Sequence, residues 1–504
     1  MPSYTISTPH FDCYAGAIAQ FEQLLETLSG EQAQRATHGE IEALIQQDGM
    51  KLLCQMIQGH LDQRAREEPR QTSVVGADGY PRTHHRVGCT RLLETRFGEV
   101  KVTRRGYGAP GLESVFPLDA ALNLPPDKYS HGLCEVVAEA VVDGSFDAAC
   151  AHLEQVGGGQ MAKRQVEDVA VHLSQGFDAF YAQPFVPPEP NESSERLLII
   201  SADGKGIVMR PSDLREATRK AREREAHKQQ TRLSPGEKKQ RKRMATVASV
   251  YEVDPYPRTP EQILDPNQAP EGQRPKVQNK RTWARVEADQ RTVIEQAFEE
   301  AMRRDPDQQR RWVVLCDGQE DLLRQVAAAA ERYKVEVVVI QDFIHVLEYL
   351  WKAAHALFPD TPAEREQWVM ERALAILEGR AHDVAVGLRR AATRKQLGET
   401  ARKPVDKAAD YIDNNRERLR YDLALAQGLP IATGVIEGAC RHLVKDRMDL
   451  TGARWGLARA EAILKLRSLK ISGDLPAYLA FHFDAERQRH YPGPPIPLDM
   501  AAAA

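Results

Sequence analysis

The chain has 504 residues, enough for two to four domains, and its 42% hydrophobic and 28% charged residues are typical of a soluble globular protein. A net charge of −4 excludes a uniformly basic DNA-packing protein, but it does not exclude an enzyme that binds DNA through a local basic region. Seven scattered Cys, short apolar runs and an N-terminus without a secretion-signal pattern together predict a cytoplasmic protein with no membrane segment.

The N-terminal region, residues 1–110, is predicted to be mainly helical. Apolar residues recur at three- and four-residue steps through 15–60, which is the spacing of one helix face. An extended run, a Gly turn at Phe97–Gly98 and a second alternating run predict a β-hairpin over 92–105.

Residues 111–183 have the pattern of a helix-turn-helix DNA-binding region. Ser145 is the predicted N-cap of the second of three helices, and Gly157–Gly158 mark its end. A plain helical bundle is the alternative. If the third helix reads DNA, the candidate contacts are the residues near its start: Lys163, Arg164 and Gln165.

A Pro- and Ser-rich linker over 184–195 precedes a strongly basic segment. Residues 201–250 contain 14 Lys and Arg against 6 Asp and Glu, and most of this excess lies in an insertion at 211–243. In the first half of the insertion acids and bases alternate, which also fits a solvated helix face. The second half has almost no acid and is predicted to be a loop or arm that contacts DNA phosphates. The candidate contacts there are Lys238, Lys239, Arg241, Lys242 and Arg243.

From residue 196 onward, predicted strands alternate with helices, which indicates an α/β layer fold. The first part of this core is 196–350, and a mainly helical stretch over 351–425 interrupts it. The core closes over 426–475, and 476–504 form a C-terminal tail.

Three acids are candidates for metal-dependent chemistry: Asp203, Asp317 and Glu437. The two Asp follow apolar strand candidates, and Glu437 lies in a segment that enters a helix. Carboxylates at the rim of such a sheet could surround two divalent ions, because Mg²⁺ prefers oxygen ligands and keeps positions open for phosphate. The alternative is that both Asp only cap ordinary turns.

A second pair, Asp342 and His345, follows the next strand and shares a helix face. These residues are predicted to act beside the three acids by orienting DNA or a metal-bound water. The alternative is a helix N-cap with a partly buried His. Since Asp317 and Asp342 both follow strands, either one could be the second carboxylate of the site.

A basic segment follows Glu437 and could hold the phosphates on which the carboxylates' metals act. A solvated helix face is the alternative, and Trp455 could either stack on an unpaired base or lie in the core. The candidates are Arg441, Lys445, Arg447, Arg454 and Trp455. The sequence contains no GxxxxGK[ST] and no GxSxG, and its His and Cys lack the spacing of a paired zinc site, so these motifs support neither an ATP-driven motor nor a serine hydrolase.

Four linked segments resemble bacterial insertion-sequence transposases of the Kra type, within the Mutator-like group of DDE transposases. They read LLIISADGKGI, WVVLCDGQEDLL, VVVIQDFIHVLEYLWKAAHALF and LPIATGVIEGACRHLVKDRMDLTGARW. The resemblance covers about 196–472. The family motif after the second Asp strand is Cys or Asp, two residues, then His, which here is Asp342 to His345. Asp317 comes 114 residues after Asp203, and Glu437 comes 120 after Asp317.

The resemblance implies an RNase H-like α/β catalytic core, with a mixed sheet, flanking helices and an all-helical insertion. Asp203, Asp317 and Glu437 would bind two Mg²⁺ (or Mn²⁺) ions. Water would cleave the transposon ends, and the freed 3′-OH would attack target DNA. The N-terminal helices would read terminal inverted repeats. A Cys-pair metal knuckle found in some relatives is missing from RRGYGAPGLESVFPLD, so the resemblance implies no zinc site there.

From this resemblance we expect a nucleoid-associated protein that forms a homodimer or higher oligomer on DNA. Two alternatives stay open. One is an RNase H-like DNA nuclease or resolvase without strand transfer. The other is a non-catalytic, transposon-derived DNA-binding protein.

Overall fold

A computed structural model describes residues 11–156, 161–184, 195–224, 239–268, 274–450 and 452–491. The chain is a mixed α/β protein with a mixed sheet and flanking helices, as the sequence predicts. It divides into two units, the first formed by 1–180 and 474–504, the second by 181–473. Within the described ranges, every helix is too short or too polar to traverse a lipid bilayer.

The first part of the chain is mainly helical, in agreement with the apolar spacing. Its longest helix is capped by Thr37, whose side chain accepts a hydrogen bond from the Glu40 backbone while the Glu40 side chain accepts one from the Thr37 backbone. The helices are α1 (Ala15–Ser29), α2 (Glu31–Arg35), α3 (His38–Glu67), α4 (Pro117–Ala121), α5 (His131–Asp143), α6 (Phe146–Val156), α7 (Lys163–Leu173) and α8 (Phe177–Tyr181).

The predicted hairpin is confirmed, and its two strands are longer than expected. The register pairs Thr95 with Gly98, so the turn residues are Arg96 and Phe97. Ser145 also caps its helix as predicted, because its Oγ accepts a hydrogen bond from the Ala148 backbone. The strands of this unit are β1 (Val74–Val75), β2 (Pro81–Arg82), β3 (His84–Thr95), β4 (Gly98–Ala109) and β5 (Leu112–Val115).

The second unit is built on a five-stranded sheet with the order β10-β9-β6-β7-β8. β6 runs parallel to β9, and β9 runs parallel to β10, whereas β6, β7 and β8 are antiparallel neighbours. The central strands consist largely of buried Val, Ile and Leu. Such continuous apolar runs are typical of strands in a sheet that helices cover. The strands are β6 (Leu197–Val208), β7 (Lys242–Val253), β8 (Gln278–Arg285), β9 (Trp312–Cys316) and β10 (Val337–Gln341).

Between β10 and the segment with Glu437, the structure is helical, as predicted for 351–425. Residues 274–450 are all described, and no strand lies within them after β10. The helices of this unit are α9 (Glu216–Arg224), α10 (Pro260–Leu264), α11 (Gln290–Arg304), α12 (Glu320–Tyr333), α13 (Phe343–Leu357), α14 (Pro362–Leu377), α15 (Ala381–Arg394), α16 (Glu399–Asn414), α17 (Tyr421–Ala426), α18 (Gly434–Ala439), α19 (Asp446–Met448) and α20 (Leu457–Ser472). A π-helix over Cys440–Lys445 joins α18 to α19.

Three features differ from the sequence predictions. Asp203 lies inside β6 rather than after it, because β6 pairs with β7 as far as Val208. Lys242 and Arg243, predicted in a loop or arm, begin β7. The stretch predicted as a tail contains a further helix, α21 (Leu475–His490), which belongs to the first unit.

Candidate functional site

Asp203 and Asp317 stand on neighbouring parallel strands at the same level of the sheet. The register between β6 and β9 pairs Ser201 with Leu315. Asp203 follows Ser201 by two residues, and Asp317 follows Leu315 by two. Because β9 ends at Cys316 while β6 continues, both carboxylates lie where the parallel pairing stops. Both residues are half-buried, so they remain open to solvent at this edge of the sheet.

The loop after β9 is shaped around Asp317. Gly318 has a φ of +87°, and a Cβ there would lie 2.3 Å from the Gln341 side chain, so this position requires Gly. The Asp317 carboxylate accepts a hydrogen bond of 3.0 Å from the Gln319 backbone. The Tyr411 hydroxyl donates to the Asp317 backbone oxygen over 2.9 Å, so α16 supports the same loop.

The helical segment with Glu437 packs against β6 next to Asp203. The Cys440 thiol, three residues after Glu437, donates a hydrogen bond of 3.2 Å to Oδ2 of Asp203. The Thr433 hydroxyl donates to Oε1 of Glu437 over 3.2 Å. The π-helix begins at Cys440, and such irregular turns are frequent at functional sites. The third carboxylate therefore stands within one helical turn of a residue that touches the first.

The pKa of the Cys440 thiol depends on the two acids beside it. Burial raises the pKa of the Cys440 thiol, and the negative charges of Asp203 and Glu437 raise it further. These effects favour the neutral thiol, which is the form that donates the hydrogen bond to Asp203.

The three carboxylates are the candidate metal ligands of the sequence analysis. Across the described ranges, no Lys, Arg or His forms an ion pair with Asp203, Asp317 or Glu437. Among the described residues, the ligand oxygens of these three acids do not all lie within 4.8 Å of one another. Carboxylate oxygens are the donors that Mg²⁺ and Mn²⁺ prefer, whereas Zn²⁺ favours His and Cys.

Asp342 has a different environment from the three acids. It is 1% exposed, and its carboxylate accepts hydrogen bonds from the backbones of Ile344 and His345, each 3.3 Å long. Oδ1 also accepts from the Thr433 backbone over 3.1 Å. Asp342 therefore caps α13, as the alternative interpretation holds, and it ties the start of the Glu437 helix to the end of β10.

His345 lies beside an aromatic pair. Its ring centroid is 5.9 Å from that of Tyr349 and 6.2 Å from that of Tyr411, and these two Tyr rings stack 3.9 Å apart. His345 is half-buried, and its neighbour Tyr411 is the residue that donates to the Asp317 backbone oxygen.

The basic residues after Glu437 fall into two groups. Arg441, Lys445 and Arg454 are exposed and remain candidates for phosphate contact. Arg447 and Trp455 are buried, with the guanidinium 4.9 Å from the indole ring. The Trp455 ring nitrogen donates to the Met448 backbone and its own backbone pairs with β6, so Trp455 is a core residue and not a stacking platform.

The other DNA-contact candidates also divide by exposure. Lys239, Arg241 and Lys242 are exposed, whereas Arg243 donates to the backbone oxygens of Val286, Asp213 and Glu287. Arg243 thus joins loops of its own unit. Lys238 lies outside the described residues.

At the start of α7, two candidate side chains are open to solvent. Lys163 is 51% and Arg164 is 87% exposed, with Asp147 and Asp168 as their respective acidic neighbours. Gln165 accepts a hydrogen bond from the Ala162 backbone and so helps to begin the helix. Gly157–Gly158 lie outside the described residues.

Sequence reasoning missed three residues of this site. Cys440 could have been found, because it lies three residues after Glu437 and shares its helix face. Thr433 precedes the helix and resembles many capping residues. Tyr411 gave no signal, because its contact with the Asp317 loop joins residues distant in the chain.

Comparison with protein-family models finds no match for this chain. A comparison with curated proteins also finds none.

Proposed function

We propose that this chain is a DNA transposase that cuts the ends of an insertion sequence and joins the 3′-OH to target DNA. One observation carries the proposal: two carboxylates that form no ion pair within the described ranges stand at the same level of neighbouring parallel strands, and the helical segment with a third carboxylate contacts the first through Cys440. The mixed sheet and the helical stretch between β10 and Glu437 support an RNase H-like core with an all-helical insertion.

Asp203, Asp317 and Glu437 would hold two Mg²⁺ or Mn²⁺ ions. When bound, the ions supply Lewis-acid activation of the attacking oxygen and charge stabilisation for the leaving oxygen. The protein's own part is to keep three carboxylates in place at an edge that DNA can reach. Cys440 orients one oxygen of Asp203, Thr433 orients Glu437, and Asp342 is a positioning residue for the helix that follows.

The exposed bases complete the proposed reaction site. Arg441 and Lys445 follow Glu437 on the same helical segment and would hold the DNA backbone beside the acids. Water attacks the phosphodiester at each end and releases a 3′-OH, which then attacks target DNA in a second displacement. Neither step needs a covalent protein–DNA intermediate.

End recognition is assigned to the helices α5, α6 and α7 as a helix-turn-helix. The exposed Lys163 and Arg164 at the start of α7 support this assignment, since such a helix meets DNA with its N-terminal residues. The partners would be terminal inverted repeats and target DNA, with the protein a homodimer or higher oligomer on the nucleoid.

The test uses the full chain, Mg²⁺ and DNA that carries the gene with its flanking sequence, either uncut or already cut at the element ends. Strand joining from the cut substrate supports the proposal. Cleavage without joining would instead identify a nuclease or resolvase, and binding without chemistry would identify a DNA-binding regulator. Short inverted repeats beside the gene would define the end sequence for this assay.

A further inference from the structure

A second cluster of possible metal ligands lies in the first unit, and the proposed function does not use it. His172 is in the last turn of α7, while His482 and Glu486 are four residues apart on one face of α21. One ligand atom from each of the three residues lies within 4.8 Å of the others.

The separations are close to those that a bound ion requires. Nε2 of His172 is 2.7 Å from Oε1 of Glu486, and Nε2 of His482 is 3.9 Å from Oε2 of the same residue. Ligands bonded to a tetrahedral Zn²⁺ at roughly 2.0–2.2 Å stand about 3.4 Å apart. Small side-chain rotations would therefore place all three donors around one ion.

His482 provides the independent observation that points to a ligand. The side chain is 4% exposed, and among the residues that the structure describes none gives its Nε2 a hydrogen-bond partner. Leaving a buried polar nitrogen unsatisfied costs free energy, and natural structures usually avoid it. An ion pair between His172 and Glu486 alone leaves this nitrogen unexplained, whereas a metal ion would satisfy it.

The local packing agrees with this interpretation. The Tyr478 hydroxyl donates to the Leu173 backbone oxygen and holds α21 against α7, so the donors are brought together before any ion arrives.

An ion would also have access and an open coordination position. A cavity of about 320 Å³ is lined by His131, His172 and Glu486. A water in this cavity would occupy the fourth position, as it does in other sites with three protein ligands. His131 also has a buried Nε2 without a partner in the described part of the chain, so it is available to hydrogen-bond such a water.

We propose that His172, His482 and Glu486 bind one Zn²⁺ ion that fastens α21 to α7. Two imidazole nitrogens and one carboxylate oxygen form a donor set that zinc favours and that Mg²⁺, which prefers oxygen alone, does not. The ion stabilises the first unit, and its site is separate from the three acids of the sheet. The proposal does not rest on the proposed function.

The test is calorimetric titration of the chelator-treated full chain with Zn²⁺ in the presence of excess Mg²⁺. We expect one Zn²⁺ to bind wild type, and at least tenfold weaker binding in His172→Gln and in Glu486→Gln. His382→Gln is the matched control, because His382 also faces a carboxylate, Asp413, but is 59% exposed and lies in the second unit. Its Zn²⁺ affinity should equal that of wild type.

Thermal unfolding and Co²⁺ spectra give independent measurements. Zn²⁺ should raise the unfolding temperature of wild type and of His382→Gln, but not that of the two site variants. Co²⁺ in place of Zn²⁺ should show the visible absorption of a four-coordinate ion, lost in Glu486→Gln. Equal Zn²⁺ affinity in all four proteins, or no binding by wild type, would overturn the proposal whether or not the DNA reactions occur.

Discussion

The acid cluster of the second unit and the His–Glu cluster of the first unit are opposite kinds of site. Asp203 and Asp317 are half-exposed, and Glu437 is exposed. His482 and Glu486 are each 4% exposed, whereas the His172 side chain is 34% exposed. The first cluster offers only oxygen donors at the edge of a sheet, whereas the second offers two imidazoles and one carboxylate between two helices.

Under the two proposals, burial and donor type separate a site of reaction from a site that stabilises the fold. An exposed set of carboxylates leaves room for a large substrate such as DNA, and an ion held there can exchange its waters for phosphate oxygens. A mostly buried set with imidazoles suits a structural ion and leaves little room for a polymer substrate. We therefore expect substitutions in the acid cluster to change the reaction, and substitutions in the His–Glu cluster to change stability.

The largest effect is expected from removing one charge of the acid cluster. Asp203→Asn, Asp317→Asn or Glu437→Gln should each lower DNA cleavage by about three orders of magnitude or more, because metal-assisted charge stabilisation contributes several kcal/mol to the transition state. DNA binding should persist. Cleavage rates and gel-shift affinities, measured on the same preparations, check both expectations.

Asp321→Asn is the matched control for this prediction. Asp321 lies four residues after Asp317, is exposed and pairs with Arg324. Its cleavage rate should match wild type. Full activity in any one of the three acid variants would remove that residue from the proposed site.

The next prediction separates Asp317 from Asp342. Asp342→Ala removes the cap of α13 and the contact with Thr433, so the second unit should lose about 1–3 kcal/mol of unfolding free energy. Asp342→Asn keeps an acceptor and should retain most of the stability and cleavage. Denaturant unfolding and cleavage assays measure the two effects. If Asp342→Asn were inactive and Asp317→Asn active, with both folded, the second carboxylate would be Asp342.

Salt dependence should distinguish bases that contact DNA phosphates from exposed bases that do not. Replacing Lys239 and Arg241 together by Ala should reduce the slope of log affinity against log salt by about 2, because each lost phosphate contact lowers it by about 1. Lys352→Ala is the control, since Lys352 is also exposed but pairs with Glu348 on α13. An unchanged slope in the double variant would show that these two bases do not contact DNA.

The smallest effect is expected from the support behind Asp317. Tyr411→Phe keeps the ring stacked on Tyr349 and removes only the hydrogen bond to the Asp317 backbone, which should lower the unfolding free energy by about 0.5–1.5 kcal/mol. Cleavage should fall far less than in Asp317→Asn. Tyr349→Phe also retains the stack and should lower the unfolding free energy less than Tyr411→Phe. A larger loss in Tyr349→Phe would contradict this role for Tyr411.

Much of the fold could be predicted because its signals are local. Short apolar runs indicate β9 and β10, and helix spacing indicates α11 and α12. The end of β6 could not be predicted, since its extension through Asp203 depends on pairing with β7, a strand that begins far along the chain. The C-terminal α21 was missed because its packing partners lie in the N-terminal unit.

The sequence by itself determined which carboxylates are available, in what order and at what spacing, because these are covalent properties of the chain. Only the tertiary structure decided which of the two acids, Asp317 or Asp342, is buried as a helix cap and which stays partly exposed to solvent. Asp342 is occupied by backbone donors from α13 and Thr433, whereas Asp317 remains half-exposed. The tertiary structure also decided that His172 lies beside His482. Burial and hydrogen-bond partners are set by neighbours distant in sequence, so local patterns could not contain them.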